Sequence, residues 1–265
     1  MNNKKKTISP VHTRLRHLHV LLAFSALLPL LPWIIRQGKH VRKTALRLPE
    51  ASGPRSGRLQ DKPSVQPLTL FHIGESTVAG VGAETIDQGL THALVSASET
   101  LTGWTIEGHN GWKACDFSAG NLPELSEPGE PYVLLITLGV NDTTGFTSLK
   151  RWRDDLDALV SRCPNAQAVF FTQVPDMAQF PALPAPLRNF LGLRATQLNL
   201  VLQTHCARRG WHWLQSQAQV PADWMAADGY HPNASGYREW GIVLADAIDP
   251  ILKRSLPLRS RQKTR

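Results

Sequence analysis

Apolar residues follow two patterns along the 265-residue chain. In the first, short runs are apolar at nearly every position: 68–73 (LTLFHI), 132–138 (YVLLITL) and 168–172 (AVFFT). Short apolar runs without polar alternation predict strands covered on both faces. A weaker strand is expected over 104–107. In the second pattern, apolar residues recur at spacings of three and four over 90–101, 149–163, 187–208 and 234–252. That spacing lines them up on one face of a helix. Strands alternating with helices predict an α/β fold with a parallel sheet and right-handed crossovers.

One stretch fits neither pattern. Residues 20–35 (VLLAFSALLPLLPWII) are a 16-residue apolar run containing two prolines. A relaxed helical span of a bilayer needs about 20 apolar residues, with about 17 as the lower limit. Lys4, Lys5, Lys6, Arg14 and Arg16 precede the run, and Arg36, Lys39, Arg42, Lys43 and Arg47 follow it. Positive charge on both sides leaves the orientation open. A basic stretch before an apolar one also fits a secretory signal, but no small-x-small cleavage site follows. Three readings result: an uncleaved membrane anchor or interfacial helix, a cleaved signal, and a helix packed on the domain. The chain then divides into a basic, membrane-anchor or signal-like segment (1–47), a linker rich in Pro, Gly and Ser (48–67), a folded domain (68–252) and a frayed basic tail (253–265).

Composition narrows the function classes. The chain is 42% apolar and 19% charged, enough to build a core and too weakly charged for disorder. Its three cysteines, Cys115, Cys163 and Cys206, are widely spaced, which excludes a disulfide scaffold or a multi-cysteine zinc module. The net charge of +8 invites a nucleic-acid partner. It is not spread evenly, however. Residues 1–62 hold 13 Lys/Arg and 2 Asp/Glu, residues 63–252 hold 10 and 19, and residues 253–265 hold 6 and none. The body is acidic between two basic ends, which argues against a nucleic-acid groove.

In open parallel sheets the working groups lie beyond the carboxyl ends of the strands. Four segments fall there: GESTVAG (74–80), HNGWKACD (109–116), GVND (139–142) and DGYHP (228–232). Ser76 follows a strand and is expected to open a helix, with its hydroxyl at the sheet edge and its N–H available to a developing oxyanion. Alone it also reads as a helix cap. Glycines 74, 80 and 82 lack the Lys-Ser/Thr of a phosphate loop. His231 supplies a base, and Asp228, three residues earlier, a carboxylate to orient it. Asn141 offers a side-chain N–H. Gly111, in an Asn-Gly pair, lets a backbone N–H approach a ligand. Asn141, Gly111 and the Asp-x-x-His block each also read as turn residues when taken singly.

Taken together and in this order, the blocks resemble the SGNH subgroup of the GDSL hydrolase superfamily, over roughly residues 68–252. Ser76, Gly111, Asn141 and His231 match the four residues that name the subgroup, and Asp228 matches its Asp-x-x-His block. The resemblance is nearest to bacterial lysophospholipase- and thioesterase-like esterases, with the stretch 174–188 similar to a loop of one bacterial branch. It implies a three-layer α/β/α sandwich of flavodoxin-like type with a mostly parallel sheet. It implies a serine esterase with Ser76, His231 and Asp228 as catalytic residues, and the Ser76 and Gly111 N–H groups and Asn141 as the oxyanion hole. No metal or cofactor is needed. The expected substrate is a small acyl ester or lysolipid. No nucleic acid is expected, the expected state is a monomer, and contact with a membrane surface (in a bacterium, the inner membrane) would run through residues 1–47. One departure is visible: the first block reads Gly74-Glu75-Ser76, with glutamate in place of aspartate. In the second block Trp112 and Lys113 add bulk that bears on substrate range. An acyltransferase or carbohydrate deacetylase would use the same residues, and a non-catalytic membrane-attached binding domain could keep the same fold.

Overall fold

A computed structural model describes residues 10–59, 67–120, 122, 131–215 and 221–255. Lys4, Lys5 and Lys6, part of the expected linker and most of the expected basic tail lie outside the described residues. Six strands form one sheet: β1 (Ser56–Arg58), β2 (Thr69–Gly74), β3 (Gly103–Gly108), β4 (Tyr132–Thr137), β5 (Val169–Thr172) and β6 (His212–Leu214). Their spatial order is β1-β3-β2-β4-β5-β6, and every pairing is parallel except that of β1 with β3. Gly74 at the end of β2 stands level with Gly108 of β3 and Thr137 of β4. Three strand ends therefore open side by side, and the loops that follow them share one edge.

The lack of polar alternation in the central strands has a direct cause. Along β4, Val133 and Leu135 enter one apolar core while Leu134 and Ile136 enter the other. Helices α3 (Leu90–Ala97) and α8 (Ala234–Ser255) cover the first face through Leu90, Leu94, Leu244 and Ile248. Helices α4 (Ala114–Ala119), α6 (Leu149–Ser161) and α7 (Leu187–Arg209) cover the second through Phe117, Trp152, Leu156, Leu191 and Leu198. Each fully buried side chain of this size stabilises the fold by about 1.5–3 kcal/mol. A further short helix, α5 (Val140–Thr144), follows β4. One polar residue sits inside β2: His72 is fully buried between Thr91 (2.8 Å) and Thr137 (2.9 Å), and burial pushes its pKa down to about 3.

Three expectations change. The periodicity carried the third helix to 101, but α3 stops at Ala97. There Ser98, Glu99 and Thr100 turn to donate three hydrogen bonds to the buried Asp249 carboxylate of α8, at 2.5, 2.6 and 2.6 Å. Part of the expected linker is built into the domain: Ser56–Arg58 is an edge strand, and Ala51 and Ser52 donate to Ala79 and Glu84. These small residues have little apolar content, but their backbone groups serve the ladder. The third is β6, too short at three residues to show a pattern.

At the amino end, α1 (Pro10–Leu27), a 3-10 turn (Leu28–Leu30) and α2 (Leu31–Thr44) form a helical arm. Pro29 and Pro32 stand in the first turns of their elements, where a missing N–H costs nothing. The stretch Leu18–Thr44 is long and apolar enough to cross a membrane, by length and composition. The arm also packs on α7: Phe24 meets Phe190 edge-on at 5.2 Å, and Val20 and Ile34 are buried.

The two helices of the first face cross so closely that Gly241 of α8 has no room for a side chain. A Cβ there would lie 2.7 Å from both the Ala93 Cβ and the Leu94 nitrogen. Gly241→Val is expected to cost about 1–3 kcal/mol and lower Tm by roughly 2–12 °C in a circular-dichroism melt. An unchanged Tm would mean that α3 and α8 are not in such close contact.

Candidate active site

The loop after β2 places Ser76. The expected helix does not form there. Val78 and Ala79 both donate to the Glu75 carbonyl and Val81 donates to Ser76, making a compact series of turns. Gly80 and Gly82, at φ +76° and +99°, reverse the chain before a helix can propagate. Ser76 therefore gains no helix dipole, but its position at the strand end is as expected.

From the far side of the sheet, the loop before α8 brings in Asp228 and His231. His231 Nε2 lies 2.8 Å from Ser76 Oγ, and His231 Nδ1 lies 2.6 Å from Asp228 Oδ2. Asp228 Oδ1 accepts the N–H groups of Tyr230 (2.9 Å) and His231 (3.1 Å). Burial alone would raise the Asp228 carboxyl. The bonds from the His231 ring and the two N–H groups outweigh it and hold the carboxyl below its ordinary range. An ionised Asp228 accepts only, so His231 carries its proton on Nδ1 and leaves Nε2 free to accept the Ser76 hydroxyl proton.

Asn141 is the second residue of α5. Its Nδ2 donates to the Trp112 carbonyl at 3.0 Å, which ties the loop after β4 to the loop after β3. Gly111, just before Trp112, has φ +85° and open space where a side chain would be. Among the described residues, neither the Ser76 N–H nor the Gly111 N–H donates a hydrogen bond within the fold. Trp112 does not narrow the site: it stacks on His109 (3.9 Å between centroids) and packs against Phe117. Lys113 stands at the start of α4, where its backbone N–H donates to the Asp116 carboxylate at 2.8 Å.

Two features went unread in the sequence. Glu75 is buried, and its two carboxylate oxygens accept the Val140 and Asn141 N–H groups at 2.8 and 2.9 Å. The residue beside the serine thus holds the start of α5. Burial pushes its pKa up to about 7, against the pull of those N–H groups. Only the chemistry of the block hinted at this, since the longer glutamate reaches further than aspartate. The second feature is the cavity. Ser76, Asn141 and His231 open into a mainly apolar space of about 1080 Å³. That is at or just above the roughly 300–1,000 Å³ usual for small-molecule sites. Phe180, Leu183 and Leu187 line it, as does a row from α2. Positions 31, 34, 38, 41 and 45 carry that row at spacings of three and four, a signal that continues past the apolar run ending at 35. Among the described residues no group of three or more His, Cys, Asp or Glu side chains is placed to hold a metal.

The fold has counterparts among solved structures. A psychrotrophic esterase from Pseudoalteromonas sp., in a structure inhibited by monoethylphosphonate, is 19% identical; the match covers 70% of this chain and 98% of that one, with a TM-score of 0.52. For an extracellular lipase from Streptomyces rimosus the values are 18%, 68%, 99% and 0.52. For a phospholipase A1 from Streptomyces albidoflavus they are 17%, 68%, 98% and 0.50. At these identities the likeness is one of fold. No curated protein matches the chain by sequence. The sequence pattern of one family, however, runs over residues 72–239, which takes in Ser76, Gly111, Asn141, Asp228 and His231. The chain belongs to the GDSL-like lipase/acylhydrolase family and thus stands among the ester hydrolases.

Proposed function

We propose that the chain hydrolyses acyl esters, in the manner of a lysophospholipase or thioesterase, through an acyl-enzyme on Ser76. The observation that carries this reading is the line of hydrogen bonds from Ser76 Oγ through His231 to Asp228. As Ser76 Oγ adds to the ester carbonyl carbon, its proton passes to His231 Nε2. The carbonyl oxygen becomes an oxyanion that accepts from the N–H groups of Ser76 and Gly111 and from Asn141 Nδ2. Each such donor is worth about 2.7–4 kcal/mol in the transition state. The bond to the leaving alcohol or thiol breaks and takes the proton from Nε2. Water then adds to the acyl carbon, giving a proton to Nε2. The Ser76 bond breaks, Oγ recovers the proton, and the carboxylic acid leaves. Asp228 stays ionised and holds Nδ1–H throughout.

The apolar arm supports a place for this chemistry at a lipid surface. Leu18, Leu21, Leu22, Leu28, Leu30 and Trp33 are exposed on it, and no acidic residue occurs before Glu50. Trp33 carries the Arg36 guanidinium 5.6 Å from its ring, an arrangement suited to the boundary between headgroups and acyl chains.

Three outcomes are expected. Ser76→Ala loses about 10⁴–10⁶-fold in kcat on p-nitrophenyl esters and is no longer labelled by a fluorophosphonate, while its circular-dichroism spectrum is unchanged. Turnover near the wild-type rate would exclude the acyl-enzyme route. Glu75 supplies a test by pH. Its carboxyl sits at about 7 in the folded chain against an ordinary 4.5, so the folded state holds a proton that the unfolded state has lost. Its contribution to stability is full below about 4.5 and is lost as pH rises through about 7. Glu75→Gln should flatten the fall in Tm across that interval, and a slope equal to wild type would remove Glu75 as its source. Lastly, the full chain should float with vesicles containing anionic lipid at low salt and less with neutral ones, each well-placed cation adding about 1 kcal/mol. Equal failure to float with either would remove the lipid surface from this reading.

A further inference from the structure

The helical arm is not an appendage to the domain. Leu31, Ile34, Gly38, Val41 and Ala45 face the same cavity that opens at Ser76. Their spacing of three and four is that of one helix face. Leu183, Leu187 and Leu191, from the loop after β5 and from α7, line the same cavity. The arm is also pinned there by polar contacts. Gln37 Nε2 donates to the Ala185 carbonyl at 2.7 Å, and Gln37 Oε1 accepts the Leu187 N–H at 3.1 Å. Gln37 thus exchanges two bonds with the backbone leading into α7, and a helix serving only as a tether has no need of them.

We infer that α2 is one wall of an acyl-chain subsite, so that the apolar tail of the substrate lies along the face that α2 and the start of α7 together present to the cavity while its carbonyl meets Ser76. The inference rests on the ester-hydrolase reading for the carbonyl end and on the cavity alone for the tail. A largely apolar space beside a nucleophilic serine, with Lys39 and Arg42 of α2 also on its lining, fits a single long alkyl chain, which has no polar group to satisfy along its length. α2 exposes Trp33 and Ile35 outward and presents a second apolar row inward, and the substrate's tail replaces water along that row. The subsite selects chain length, because each methylene reaching further along α2 adds apolar contact.

Gly38 offers the test. A Cβ there touches the Leu187 side chain at 3.9 Å and meets nothing else within 4 Å, so a larger residue is accommodated by the helix and takes up space where α2 and α7 border the cavity. Binding of dodecanoate and of hexanoate is measured on the full chain, and hydrolysis of p-nitrophenyl acetate on the same preparations. Gly38→Phe is expected to lower the dodecanoate-to-hexanoate affinity ratio by about tenfold, the effect of excluding about two methylenes from apolar contact. Gln37→Ala, which releases α2 from α7, should lower the ratio in the same direction. Ratios unchanged from wild type in both variants would overturn the subsite. If the ratio falls but the wild-type chain leaves p-nitrophenyl acetate intact, the subsite stands and the ester-hydrolase reading at Ser76 falls instead.

Discussion

β2 and β4 lie side by side in the middle of a sheet that is covered on both faces, and their last residues, Gly74 and Thr137, are in register. Everything at the site depends on that alignment. It brings the turn carrying Ser76 and the helix carrying Asn141 within reach of a single side chain. Glu75 uses this proximity, bridging from one loop to the first N–H groups of the other. Burying a carboxyl is costly unless its oxygens find donors, and two backbone N–H groups at a helix start are suitable ones. The raised pKa of Glu75 records what burial still costs after those bonds are made. Glutamate in place of the family's aspartate is therefore accommodated by the distance that it spans.

The other buried polar groups follow the same rule. Asp142 accepts from the Ala114 N–H and the Thr147 hydroxyl, which fixes α5 to the start of α4. Asp249 gathers three donors from the turn after α3. Asp228 takes two N–H groups on one oxygen and His231 on the other. Among the described residues, each of these carboxylates joins segments on different loops or helices, or closes the turn that carries the histidine. Asp142 and Asp228, like Glu75, hold loops in place around Ser76, Asp249 ties α8 to the turn before β3, and the two apolar cores supply the stability.

The central strands and long helices were legible because their patterns are long: the β2 and β4 runs and the α7 periodicity each match within a residue or two of the observed elements. The five candidate residues stood out for a different reason, as blocks at strand ends and before the last helix. What escaped notice is local geometry that leaves no pattern. The series of turns at Ser76 depends on positive φ at Gly80 and Gly82, and glycine alone does not say which way it will turn. Strand β1 is made of Ser, Gly and Arg, with no apolar side chain to leave a pattern, and composition read it as linker. The end of α3 is set by Asp249, which is about 150 residues away in sequence.

The arm shows a deeper limit of apolar patterning. A leucine facing lipid, one facing a core and one facing a substrate's tail are all excluded from water for the same physical reason, so the sequence records them alike. What separates them is polar. Gln37 lies in a stretch long and apolar enough to cross a membrane, yet both ends of its amide are matched to the backbone at the entry to α7. An amide with no partner would cost more in lipid than in water, so a paired glutamine there argues for a helix docked on the domain along that face. The same helix carries Arg36, Lys39 and Lys43 exposed to solvent, charges suited to the headgroup layer and not to a bilayer's centre. An arm docked on one side, apolar on the other and cationic at its end lies along a surface more readily than it crosses one. On the proposed lipid-surface reading, that posture would set the wall of the cavity beside Ser76 against the lipid.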